Sequence, residues 1–196
     1  MPRPKQRTPE LRDHVLKVAV STLNEDGLSG FTTRRVAERA GTSVPAVYEL
    51  FDDKSGLVRA VFFEGFLMLG RRLLAVPETD DAVADVQRLI PVFRRFCLDY
   101  PALARVMFSR PFQDFDPGPE DLAMSPSVRE VFVGRIKRCT DAGLLTGDPV
   151  DIAHVLLALA QGLAVQEGGR WLGKSKVSVS RRWEVGVTGI LRGFAR

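Results

Sequence analysis

Apolar residues recur at three- and four-residue intervals along almost the whole chain, and nowhere do they alternate singly over a useful length. The first pattern lays a stripe along an α-helix; the second would line one face of a strand. A chain patterned this way folds as helices packed on helices, so the expected fold class is all-α. The 196 residues allow one or two domains, and 45% hydrophobic with 27% charged residues exclude disorder as the main state. There is no run of 18 apolar residues. The longest near-candidate, residues 152–165, contains His154 and Gln161, so no membrane-spanning helix and no membrane partner are expected. The first seven residues lead into charged helix and not into an apolar stretch, which does not suit a signal peptide. Two cysteines, Cys97 and Cys139, cannot build a disulfide framework and fit a reducing, cytoplasmic setting.

Turn and cap residues divide the pattern into helices. Pro9 to Asn24 is amphipathic and ends at Asp26-Gly27. Thr32 caps a short helix over 33–40, closed by Gly41. Ser43 caps the next, 44–50, where Pro45 is tolerated because a first-turn residue needs no N–H. Asp53 caps a long helix from Lys54 to about Ala75. Further helices are expected over 82–100 with a kink at Pro91, 101–108, 126–143, 149–167 and 177–194. The longest loop, 109–126, holds four prolines.

Residues 33–51 therefore read helix, three-residue turn, helix. Val36, Ala37 and Ala40 face inward from the first helix, and Val47, Leu50 and Phe51 from the second. Small Ala37 lets the two approach closely. The second helix opens on a short uncharged turn (Ser43, Val44, Pro45, Ala46) narrow enough for a DNA major groove about 12 Å wide. Net charge is +4, split evenly between residues 1–60 and the remainder, so a basic surface for DNA would have to come from placement.

The run from Phe31 to Phe51, followed by Lys54 and Leu57, resembles the DNA-binding signature of the TetR family of bacterial transcriptional regulators. That signature is approximately Thr, hydrophobic-Ala, Ala-Gly, Ser, Tyr, Phe, Lys, Leu at these spacings. The resemblance covers residues 9–60. It implies a three-helix helix-turn-helix domain over 1–53 and a helical effector-binding and dimerisation domain over 54–196. It implies phosphate contacts at Thr33, Tyr48 and Lys54 and base-facing residues 43–46. Arg34 joins these as a candidate DNA contact. Three departures stand out: Pro45 where the family often has glycine, Leu50 where it has His or Tyr, and Arg35 where it has an acid. Two arginines in a first turn oppose the helix dipole, which makes sense beside a phosphate; the alternative is that Arg34 and Arg35 are solvated charges. Tyr48 could instead pack, Lys54 could be an ordinary surface lysine, and the arm Arg3, Lys5, Arg7 reaches a minor groove or stays unordered.

The other motifs weigh less. Gly168 to Ser175 fits Gly-x-x-x-x-Gly-Lys-Ser literally, but a P-loop needs a preceding strand, and residues 152–167 are helical; the stretch reads as a linker. His14 and His154 have no second ligand at helical spacing, so no metal is expected. No catalytic triad or carboxylate pair stands out, so neither an enzyme nor a cofactor is expected. The stretch from Tyr100 to Phe108 is similar to a TetR type named for a Trp-His-Gly signature, of which only Gly162 is kept after Leu157 and Gln161. Phe62, Phe66, Phe96, Met107, Phe108, Phe132 and Gln161 are the candidates for an apolar effector pocket, with core packing as the alternative. The expected function is a homodimeric repressor, bound to a pseudo-palindromic double-stranded operator and released by a largely apolar small molecule. The alternative is a helical small-molecule-binding protein or enzyme that does not bind DNA.

Overall fold

The computed structural model describes residues 8–109 and 126–196. Among them are the helices α1 (Pro9–Gly30), α2 (Thr33–Arg39), α3 (Val44–Phe51), α4 (Lys54–Leu74), α5 (Ala82–Asp99), α6 (Pro101–Ser109), α7 (Pro126–Asp141), α8 (Pro149–Gly168) and α9 (Lys176–Gly193). No strand occurs among the described residues, only an isolated antiparallel bridge between Leu145 and Ala195. The all-α expectation holds, and each expected helix is present. The basic arm Arg3, Lys5, Arg7 and the proline-rich loop lie outside the described residues.

The chain forms two compact units. The first takes the described residues up to Gly65 and those from Tyr100 to Ser109. The second takes Phe66–Asp99 and the described residues from 126 onward. Lys54, where a domain border was expected, starts α4, whose residues as far as Gly65 cluster with α1–α3.

In the first unit, the Thr8 hydroxyl accepts the Leu11 N–H at 3.2 Å and starts α1 with Pro9 in its first turn. Val15, Ala19 and Leu23 are fully buried along one stripe. The regular helix breaks at Gly27 (φ 69°, ψ −173°), where the sequence has its stop signal, and a last turn continues to Gly30. α6 crosses α4 at Gly65, where any Cβ would lie 2.6 Å from the Met107 sulfur.

The second unit is held by an apolar core containing Leu89, Phe93, Phe96, Phe132, Ile136, Ile152 and Leu156, all inaccessible to solvent. Two polar clusters fix its helices. Glu167 of α8 takes two hydrogen bonds from Arg94 of α5 (2.8 and 2.7 Å) and one from the Trp183 indole of α9 (2.8 Å). Burial alone would raise the Glu167 carboxyl, but these donors hold it below its usual range. Burial and the Glu167 charge push the nearby Cys97 thiol up to about 12; burial likewise raises Cys139, so both cysteines behave as packed apolar groups. α8 is 20 residues long and, by length and composition alone, apolar enough to cross a membrane, more than the 14-residue stretch suggested. Its Ile152, Ala153, Leu156, Leu157 and Ala160 are nevertheless in the core of this unit.

The second cluster centres on Asp85, which is fully buried in the first turn of α5. It accepts from the Thr79 N–H (2.9 Å), the Thr79 hydroxyl (2.8 Å), Arg138 of α7 (2.6 Å) and Arg88. Arg138 also donates to the Thr79 carbonyl, and buried Arg135 to those of Val76 and Pro77. One carboxylate thus ties the 76–79 connection to α5 and α7. Burial raises the Asp85 carboxyl, yet Thr79, Arg138 and Arg88 outweigh it and hold it well below the usual range. A depressed folded-state pKa stabilises the fold above the unfolded value near about 3.9, and that contribution is lost as pH falls below it. Asp85→Asn should therefore lower the melting temperature at pH 7 by on the order of 10 °C, because the guanidinium groups of Arg88, Arg135 and Arg138 lose a counter-charge. It should also flatten the loss of stability on acidification below about pH 4. Calorimetric melts from pH 7 to pH 3 check both.

Candidate functional site

The local sequence builds the α2–α3 pair step by step. The Thr32 hydroxyl accepts the Arg35 N–H (3.2 Å) and its carbonyl the Val36 N–H (3.0 Å), which starts α2. α2 ends at Ala40, and Gly41 turns the chain at φ 65°, a left-handed conformation in which a Cβ is strained. The Ser43 hydroxyl then accepts the Ala46 N–H (3.3 Å) and opens α3, with Pro45 in its first turn. Val36, Ala37, Ala40, Val47 and Phe51 are buried between the helices, and the Arg12 guanidinium of α1 lies 4.9 Å from the Phe51 ring centroid. The Asp53 carboxylate accepts the Gly56 N–H (2.7 Å) and caps α4. At Gly56 the backbone passes so near α3 that a Cβ would sit 1.8 Å from the Phe51 carbonyl oxygen.

Acids at the end of α1 hold α2. Arg35 donates to Asp26 at 2.8 Å; Arg39 pairs with Glu25 at 2.9 Å and with Asp26 at 3.1 Å. The Arg35 hydrogen bond, with the charge of Arg39, keeps the Asp26 carboxyl below its usual range. Arg35, neither of whose two readings included an ion pair, thus has a partner on α1 in Asp26. Sequence reasoning missed Glu25, Asp26 and Arg39. Their pairing follows from a chain reversal whose angle no local pattern encodes.

The remaining candidates divide by exposure. Arg34, Ser43, Pro45, Tyr48 and Lys54 are exposed, Tyr48 to 40%. Val44 and Ala46 are half-buried, and Thr33 is buried. Around α3 and the start of α4 the exposed residues thus include Ser43, Pro45, Tyr48 and Lys54, with the exposed acids Asp52 and Asp53 next to Lys54.

The aromatic candidates do not gather. Phe62, Met107 and Phe108 belong to the first unit; Phe66, Phe96, Phe132 and Gln161 belong to the second. Phe62 stacks edge-on against Phe63 at 5.4 Å, and Phe62, Phe96 and Phe132 are no more than 1% exposed, as core residues are. The second unit contains a cavity of about 330 Å³ between α5 and α9 and another of about 500 Å³ beside Pro77 and Arg135. None of the seven side chains lines either.

Comparison with known proteins agrees with this architecture. Residues 15–61 match the family described as bacterial regulatory proteins, tetR family, and residues 86–190 match the tetracyclin repressor-like C-terminal domain. The chain belongs to the TetR family. The tetracycline repressor protein class C of Escherichia coli is 35% identical over 95 residues, 48% of this chain and 43% of that protein. The chain spans less than half the length of the curated TetR relatives it matches. A solved structure from Rhodococcus sp. RHA1, of unknown function, superposes with a TM-score of 0.80 at 26% identity, over 100% of both chains. A TetR from Acinetobacter baumannii AYE in complex with minocycline gives 0.66 at 20% identity, over 91% of this chain and 93% of that one, a likeness of TetR fold.

The close approach at Gly56 is testable without any ligand. Gly56→Ala should destabilise by about 1–3 kcal/mol, since the backbone of the α3–α4 turn must move. Gly134→Ala, in open space on α7, should leave stability unchanged or raise it by up to about 1 kcal/mol. Urea denaturation of the two variants beside the parent decides it.

Proposed function

We propose that this chain is a DNA-binding transcriptional repressor that works in the cytoplasm by binding, not catalysis. The observation that carries the reading is the helix α3, which buries Val47 and Phe51 and leaves Ser43, Pro45 and Tyr48 exposed. Residues Ser43, Val44, Pro45 and Ala46 face base edges. Tyr48, Lys54 and Arg34 hold phosphates, and Thr33, being buried, supports the α2 start that orients them. Lys54 sits at a helix N-terminus, where a cation is unfavourable without an anion partner.

The repressor acts as a homodimer. A Cβ placed on Gly162 of α8, or on Gly189 or Gly193 of α9, would meet nothing within 4 Å, and Val155, Val165 and Val185 are exposed along the same helices. Glycine inside a helix costs about 1 kcal/mol relative to alanine, and among the described residues no close contact at these positions requires it. Close approach of the same helices from a second copy does. Gly186 differs: Leu159 fills the space above it within the chain. Two copies place their α3 helices on a pseudo-palindrome, with half-sites about 34–36 Å apart or a multiple of that.

A small, largely apolar effector bound in the second unit releases the DNA. A structural relative holds minocycline, which supports a ligand of that size. Phe66 and Gln161, both half-buried, stay in this proposal as side chains that sense it. A 100-fold loss of DNA affinity needs about 2.7 kcal/mol of coupling, so the effector must prefer the DNA-incompetent state by that much.

Gel-shift titration against DNA upstream of the gene tests the reading. Tyr48→Phe and Lys54→Ala should weaken binding to all sequences, and Lys54→Ala should reduce the log–log salt slope by about 0.9. Changes at 43–46 should alter base preference by about 1–3 kcal/mol per pair. Unchanged affinity and slope in the Tyr48, Lys54 double variant contradict the assignment.

The dimer has its own check. Gly189→Leu adds a better helix former in open space, so the isolated fold should keep or raise its stability while sedimentation reports a monomer at micromolar concentration. An unchanged dimer places the interface elsewhere.

A further inference from the structure

We propose that Asp52 is a positioning residue for DNA binding: the strained turn it forms between α3 and α4 sets the spacing of Tyr48 and Lys54. The inference deepens the DNA-binding reading and rests on it. α3 ends at Phe51 and α4 begins at Lys54, so Asp52 and Asp53 make the whole connection. Asp52 has φ 67° and ψ −56°, and the Asp53 N–H donates to the Phe51 carbonyl at 2.8 Å. Those angles with that hydrogen bond form a γ-turn of the rare, strained hand. Among the described residues only Asp52 and Arg170 combine a side chain with a positive φ.

The Asp52 side chain is exposed, so what imposes the strain lies on either side of it. Upstream, Phe51 is buried against the first three helices. Downstream, the Asp53 carboxylate accepts the Gly56 N–H at 2.7 Å and the Asp53 carbonyl accepts the Leu57 N–H at 3.2 Å. Leu57 and Val58 are buried as well, which anchors the first turn of α4. Gly56 lets that turn press against the Phe51 carbonyl, where a Cβ would lie 1.8 Å from the oxygen. Both ends are thus fixed, and the backbone of Asp52 takes the one conformation that joins them. Strain of this kind persists only where the surroundings over-determine it, and it collects at functional positions.

The two side chains proposed to hold phosphates stand on opposite sides of this turn. Tyr48 is in the last turn of α3, three residues before Phe51, and Lys54 is the first residue of α4. Rotation of Asp52 to a negative φ would relieve its strain and swing the start of α4, with Lys54, relative to Tyr48. The turn therefore decides whether both reach one DNA backbone together. The role belongs to the backbone at Asp52 and not to its carboxylate, which would repel a phosphate.

The test uses the full chain and a duplex that it enriches from randomised DNA, below the melting transition of every variant. Asparagine and glycine accept a positive φ, whereas β-branched valine resists it. Asp52→Asn and Asp52→Gly should keep the parent's salt slope and bind at least as tightly, since a carboxylate beside Lys54 is gone. Asp52→Gly should also melt about 2–4 °C above Asp52→Asn, because its turn is unstrained. Asp52→Val should weaken binding by the same factor as Lys54→Ala and reduce the log–log salt slope by about 0.9. Combined with Lys54→Ala it should lose nothing further, since both changes remove one contact. Asp52→Ala, with an unbranched Cβ, should show part of this loss and takes the place of the valine variant if that one does not fold. Parent-like affinity and slope in the Val and Ala variants overturn the role of the turn. Weaker binding by Asp52→Asn overturns it too, because the carboxylate then carries the effect. A parent chain that enriches no duplex removes the DNA-binding reading itself, whatever the variants at Asp52 do.

Discussion

An eight-residue helix cannot persist alone in water, because its few internal hydrogen bonds do not offset nucleation. α3 is such a helix, and everything proposed about DNA depends on its being held rigidly. Its stability comes from burial of Val47 and Phe51 against α1 and α2, from the Ser43 cap, and from the turn at Gly56 that anchors α4 within contact of the Phe51 carbonyl. With these contacts made, Pro45 and Tyr48 of α3 remain exposed.

The electrostatics divide in the same way. Arg35 and Arg39 belong to the fold, since Glu25 and Asp26 neutralise them. Arg34 and Lys54 are exposed and do not pair with those two acids. In the second unit Asp85 and Glu167 do comparable work, each tying separate segments together.

Much of this was legible in the residues. Thr32, Ser43 and Asp53 read as caps and are caps; Gly27, Gly41 and Gly143 mark stops and have positive φ. Local hydrogen bonding and glycine stereochemistry decide such features, and both are written within four residues. The functions of Asp26 and Asp85 were not legible. Asp26 reads as part of a helix stop and Asp85 as an ordinary first-turn acid, while the Arg35 and Arg138 that hold them lie nine and 53 residues away. The aromatic residues were ambiguous for another reason: helical spacing says that Phe62, Phe96 and Phe132 face inward, and a packed core and a cavity wall both face inward. Pro91 was visible as a helix irregularity, but its place beside Trp183 and Val187 required the fold.

Selection of binding sites from randomised duplex DNA by the purified full chain tests the central claim most directly. An α3 surface used by a two-fold dimer predicts enrichment of an inverted repeat whose half-sites are centred about 10–10.5 base pairs apart or a multiple of that. Enrichment of no sequence, or of a single half-site without a symmetric partner, contradicts it.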